Sequence, residues 1–141
     1  ATDLLADTKL APELSNEAHY YRAKAYLDAG KTDGAMEDLK ILAKDTRNVY
    51  GAEAKYKVAQ IYFDGGQTDK AEQEVLNYIE VSTPHTYWLA RSFVLLADVY
   101  MKSGRNLDAK QYLLSLKQNY QADDDIAGMI ESRLEKLKTE N

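Results

Sequence analysis

Apolar positions along this chain fall into three stripes of helical period: Ala35, Leu39, Leu42; then Ala71, Val75, Tyr78; then Ala109, Leu113, Leu116. Steps of three and four residues bring each set onto one face of a helix, with polar residues on the other face. Ahead of each stripe stands the same quartet. Ala23, Tyr26, Gly30 and Ala35 recur as Ala59, Tyr62, Gly66 and Ala71, and again as Ala97, Tyr100, Gly104 and Ala109, at periods of 36 and 38 residues. Self-similarity at such a period predicts an all-α stack of helix–turn–helix units and not one closed core.

The quartet has a physical reading. The small residues Ala23, Ala59 and Ala97 let a second helix approach, and the neighbouring tyrosine rings fill the space beside them with their hydroxyls near water. Gly30, Gly66 and Gly104 fall where the first helix must stop, since glycine takes the left-handed conformation without steric penalty. Thr32, Thr68 and Asn106 read as N-caps of the second helices, and Asp33, Asp69 and Asp108 put negative charge where the helix dipole favours it. A single hairpin leaves an apolar side uncovered, so stability has to come from stacking copy on copy.

The small–Tyr–Gly–Ala pattern resembles the tetratricopeptide repeat over about residues 16 to 120. The resemblance implies a right-handed α-α superhelix of about three hairpins, with a concave face lined by the first helix of each. Two positions depart from the family pattern. Its leucine ahead of the small residue is Arg22 in the first copy, against Val58 and Leu96 later, which predicts looser packing in the first copy. Its early aromatic is His19 or Lys55 in the first two copies and Phe93 in the third. Periods longer than the family's common length of about 34 residues resemble those of bacterial cell-envelope proteins, which leans toward a bacterial envelope or periplasmic setting and leaves the compartment open.

Residues 2–10, with Leu4, Leu5 and Leu10, read as the second helix of a partial repeat ended by Pro12, as in a chain cut from the C-terminal part of a longer repeat protein; a natural capping helix is the alternative. The repeats then occupy 16–48, 52–83 and 87–120. The two additional residues of the longer period are expected in the turn from Ser82 to Thr86. After Asp123, Asp124 and Asp125, the stripe Ile126, Met129, Ile130, Leu134, Leu137 predicts a terminal capping helix over 123–138, with Glu131, Arg133, Lys136 and Lys138 on its outer side.

Composition narrows the function classes. With 45% hydrophobic and 29% charged residues the 141-residue chain has a globular composition, and its longest uncharged stretch, Val81 to Ala90, falls short of the roughly 18 apolar residues that span a bilayer. A net charge of −5 with interspersed lysines leaves no electrostatic footprint for nucleic acid. Zero cysteines exclude thiolate chemistry. His19 and His85 stand apart without metal-ligand spacing, the triple aspartate lacks the rest of a calcium loop, and Gly65–Gly66 lacks the ending of a phosphate loop. The expectation is a noncatalytic chain with no cofactor, no metal, no nucleic acid and no membrane insertion.

What remains is the inner face of the first helices: Tyr20, Lys24 and Leu27; Tyr56, Gln60 and Phe63; Val94, Asp98 and Met101. As a groove this row would hold a protein or peptide, with Tyr20 and Tyr56 as anchors. Three dispositions stay open: a groove, ordinary core between adjacent first helices, or burial by another copy of the chain or by further repeats. The residues do not supply the two-carboxylate clamp of the family. The reading is a protein-interaction scaffold presenting a concave groove, with a structural terminal cap or self-association module as the alternative.

Overall fold

The computed structural model describes residues 11–81 and 83–139, so the expected partial-repeat helix over 2–10 lies outside it. Among the described residues there are seven helices and no strand: α1 (Ala11–Asp28), α2 (Thr32–Leu42), α3 (Val49–Asp64), α4 (Thr68–Glu80), α5 (Thr86–Lys102), α6 (Asn106–Asn119) and α7 (Ile126–Thr139). The first six pair into three hairpins, consecutive hairpins touch through α2–α3 and α4–α5 as well as through α1–α3 and α3–α5, and α7 covers α6 and part of α5. The chain is an all-α helical repeat. Pro12 is the second residue of α1, in the first turn, where a missing N–H costs nothing.

The three intra-hairpin turns are one motif built three times. Gly30, Gly66 and Gly104 have φ of 75°, 81° and 78°. The next residue returns its N–H to the carbonyl of the repeat tyrosine, Lys31 to Tyr26 at 2.7 Å, Gln67 to Tyr62 at 2.8 Å and Arg105 to Tyr100 at 2.7 Å, while each glycine N–H reaches the carbonyl three residues back at 3.1 Å. This is the Schellman closure. Its outermost residue at once serves as the next N-cap: the carbonyls of Lys31, Gln67 and Arg105 accept from Ala35, Ala71 and Ala109. The N-cap therefore sits one residue before the expected Thr32, Thr68 and Asn106, and no side chain caps these helices, because the turn is too short to hold a separate cap.

Gly66→Ala forces a β-carbon into the left-handed region and is expected to cost about 1 kcal/mol. Gly65→Ala, at an ordinary φ of −85° and with its nearest neighbour 3.4 Å away, should be close to neutral. Thermal unfolding of the two variants checks this.

Within each hairpin one contact position carries three chemistries. His19 Nδ1 lies 2.8 Å from Asp38 Oδ1 in the first, Lys55 pairs with Glu74 at 3.1 Å in the second, and the Phe93 and Tyr112 rings stack with centroids 6.2 Å apart in the third. Arg22, where Val58 and Leu96 stand later, donates to both oxygens of Asp38, from Nε at 2.8 Å and Nη2 at 2.6 Å. Asp38 is 1% exposed. The first copy is thus closed by a charged network and is not loose there, because the guanidinium fork satisfies a carboxylate where the third copy places Leu96 and Tyr112.

Between hairpins, Ala23, Ala35, Leu39, Leu42, Ala54 and Val58 form one core, and a larger one runs from Ala59 and Val75 through Leu95, Leu96 and Leu113 to Ile126 and Ile130 of α7. The connections are tied to each other as well, since Thr83 Oγ1 donates to the Thr46 carbonyl at 2.7 Å and His85 Nε2 lies 2.9 Å from the Arg47 carbonyl. Both histidines are therefore held in packing contacts. The two additional residues of the second period lengthen α4, 13 residues against 11 in α2, and the connection after it is not the longer one.

Candidate functional site

The nine inner-face residues divide into packed and open groups. Val94, 3% exposed, belongs to the core. Tyr56, 7% exposed, donates its hydroxyl to Gln60 Oε1 at 2.8 Å and accepts from Arg91 Nη2 at 3.0 Å, and Gln60 in turn donates to Asp64 at 2.8 Å. These three positions do not form an accessible anchor row, since Tyr56 is covered by the Trp88 ring, 5.7 Å away between centroids, and Val94 by the core. Tyr20 is half-buried, its hydroxyl donating to Glu53 at 3.1 Å and its pKa pushed up to about 12 by burial and by that carboxylate. Lys24 lies over the Tyr20 ring, 5.3 Å from its centroid, and Leu27 is half-buried at the end of α1.

Phe63, Asp98 and Met101 come together at the other end of the face, where α7 supplies a wall. They line a recess of about 650 Å³ with Lys102, Ser132, Arg133 and Lys136. Asp98 holds that wall in place, accepting from Arg133 Nε at 2.9 Å and Nη2 at 3.0 Å, while Arg133 Nη1 also reaches the Met129 carbonyl at 3.3 Å. Arg133 therefore turns inward and not to the outer side that its place between apolar positions suggests. Lys102 and Lys136 have no ion pair among the described residues, which leaves two free cations beside an apolar floor.

Sequence reasoning missed Lys102, Arg133 and Lys136, and the one available signal was that α7 carries an arginine next to its apolar stripe. The N-terminus of α7 is anchored separately. Asp124 Oδ1 accepts the Ile126 N–H at 2.9 Å, Tyr120 donates to Asp124, and Tyr87 donates to Asp125 at 2.8 Å. Burial is the main cause raising the Tyr87 pKa. Tyr87 and Trp88 stack edge-on at 5.0 Å beside Arg91, which lies over the Tyr56 ring at 4.8 Å, so this aromatic group packs the third hairpin to the second. A larger recess of about 880 Å³ opens between α2 and α4 over Val58 and Tyr62, its rim occupied by the Lys55–Glu74 pair.

Among the described residues no group of three or more His, Cys, Asp or Glu could hold a metal ion, and no helix is long and apolar enough to cross a membrane. Stacked hairpins, each closed by the same Ala, Tyr and Gly positions, define a helical-repeat protein. Residues 17–45, spanning most of the first hairpin, match the family model of the tetratricopeptide repeat. Tetratricopeptide repeats generally mediate protein–protein interaction and are generally noncatalytic. No curated protein and no solved structure matches the chain.

Proposed function

We propose that this chain is a noncatalytic interaction scaffold that holds an extended segment of a protein partner along the inner face, at the end formed by α3, α5 and α7. The observation that carries the reading is the recess itself: Phe63 and Met101 offer half-buried apolar surface, and Lys102 and Lys136 stand free beside it. The partner that fits is a peptide with an aromatic or aliphatic side chain next to acidic residues. Because α7 is pinned by the Asp98–Arg133 fork, the surface is pre-organised and little ordering cost falls on binding.

The test selects peptides from a displayed random library on the full chain and measures the selected peptides by fluorescence anisotropy. The expected result is enrichment of acidic sequences with a bulky apolar residue, binding that weakens with salt, and a loss of tenfold or more in Phe63→Ala/Met101→Ala with unchanged helical circular dichroism. Selection of nothing, or equal affinity in the double variant, removes the proposal. The second reading, a terminal cap of a longer repeat stack, draws on the burial of Ile126, Ile130 and Leu137 of α7 against the third hairpin.

A further inference from the structure

The outward side of α1 carries Leu14, Ala18, Tyr21 and Ala25, spaced four, three and four residues apart, which places them on one stripe. All four are exposed, Leu14 at 62% and Tyr21 at 61%. The internal repeat shows what kind of surface this is. One period on, the same positions are Tyr50, Ala54, Lys57 and Ile61 of α3, and another period on they are Trp88, Ser92, Leu95 and Val99 of α5. There each is buried or half-buried; Tyr50, Ala54 and Ile61 pack with the core of the hairpin before them, and Leu95 and Val99 lie in the core shared by the second and third hairpins. The stripe on α1 is therefore a stacking face, and among the described residues nothing covers it.

We propose that a second copy of this chain covers it, α1 against α1 in antiparallel register. The stripe is complementary to itself under a two-fold axis. Setting Leu14 opposite the partner's Ala25 puts Ala18 opposite the partner's Tyr21, so every large side chain meets a small one. The flanks agree with this register. In it Glu17 of each copy faces Lys24 of the other, on the side of α1 nearest α3, and neither residue has an ion pair within the chain among the described residues; the Glu17 carboxylate lies beside the Tyr50 hydroxyl. Two opposite-charge pairs related by the axis then fix the alignment, the role such flanking charges have in paired helices. A parallel pairing sets Tyr21 beside Tyr21 and Leu14 beside Leu14, large against large, and separates Glu17 from the partner's Lys24. One helix face is a small interface, so the dimer is weak, with a dissociation constant on the order of 100 µM.

The experiment is sedimentation equilibrium of the full 141-residue chain from about 10 µM to about 1 mM, the range that brackets such an affinity. The expected result is a reversible monomer–dimer equilibrium. It should be abolished by Tyr21→Glu, weakened about tenfold by Glu17→Lys or by Lys24→Glu alone, and restored when both charges are exchanged together. These side chains are exposed, so the helical signal and thermal midpoint stay unchanged and a folding defect is separated from a lost contact. A strict monomer throughout, as when residues 2–10 with Leu4, Leu5 and Leu10 cover the stripe, overturns the proposal. So does a dimer indifferent to Tyr21→Glu, or one that the double exchange fails to restore.

Discussion

Gly51→Ala should lower the thermal midpoint by about 6 °C, a loss of about 2–3 kcal/mol, the largest effect of any single methyl in this chain. Gly51 is the third residue of α3, where α3 meets the end of α2. A β-carbon built there lies 2.6 Å from the Leu42 carbonyl oxygen and closer still to that of Asp45. Both are backbone atoms held in place, because the Asp45 N–H is bonded to the Leu42 carbonyl at 3.2 Å and the Asn48 N–H to the Asp45 carbonyl at 3.3 Å. No rotamer relieves the contact; the second hairpin would have to slide off the first. Gly128 provides the control, being also the third residue of its helix, α7, with open space for 4 Å around the point a β-carbon would occupy. Gly128→Ala should stabilise by about 0.5–1 kcal/mol through helix propensity alone. Equal effects of the two alanines, measured by thermal or urea unfolding, would show that the α2–α3 contact does not need a glycine.

Asp38→Ala is expected to cost about 2 kcal/mol, because it removes the one buried carboxylate that holds both His19 and Arg22. The effect depends on pH in a defined direction. The Arg22 guanidinium, and after it His19, hold the Asp38 carboxyl below its ordinary 3.8 against the opposing effect of burial. A depressed carboxylate stabilises the fold fully above its unfolded value, and that contribution fades as pH falls from 3.8 toward the lower folded value. The first hairpin should therefore be the first to open in acid, and the gap in stability between the native chain and Asp38→Ala should narrow over that range. The third copy supplies the sharper check. His19→Phe, Arg22→Leu and Asp38→Tyr together import the residues at positions 93, 96 and 112, and because only Asp38 of the network is fully buried, the exchange should be close to neutral. Asp38→Tyr alone strands Arg22 and His19 and should destabilise. A triple variant that keeps the acid transition of the native chain would mean that the network is not its origin.

The helices and their turns were legible from residue spacing alone. The positions of Gly30, Gly66 and Gly104 mark where a left-handed residue is needed, and the stripes through Ala35, Ala71 and Ala109 mark the buried faces, since both signals arise within one or two turns of chain. The caps were misplaced by one residue because closure and capping merge in so short a turn. The candidate site was read less well. Tyr56 and Val94 look like Tyr20 and Phe63 in sequence, and only the neighbours brought by the next hairpin, Trp88 and Arg91 against Tyr56, separate the packed ones from the open ones.

The sequence by itself determined the repeat and the alanine, tyrosine and glycine positions that close each hairpin, because these rest on contacts between residues close in the chain. Tertiary structure decided three further things: that Asp38 is buried between His19 and Arg22, that Asp98 commits its carboxylate to Arg133, and that Lys102 of α5 and Lys136 of α7 meet beside Phe63 and Met101. The first two join residues 16 to 35 positions apart, across helices whose relative rotation is set by packing. A period of three to four residues states which side of a helix is apolar, and it carries no information about which charge on the neighbouring helix will stand opposite.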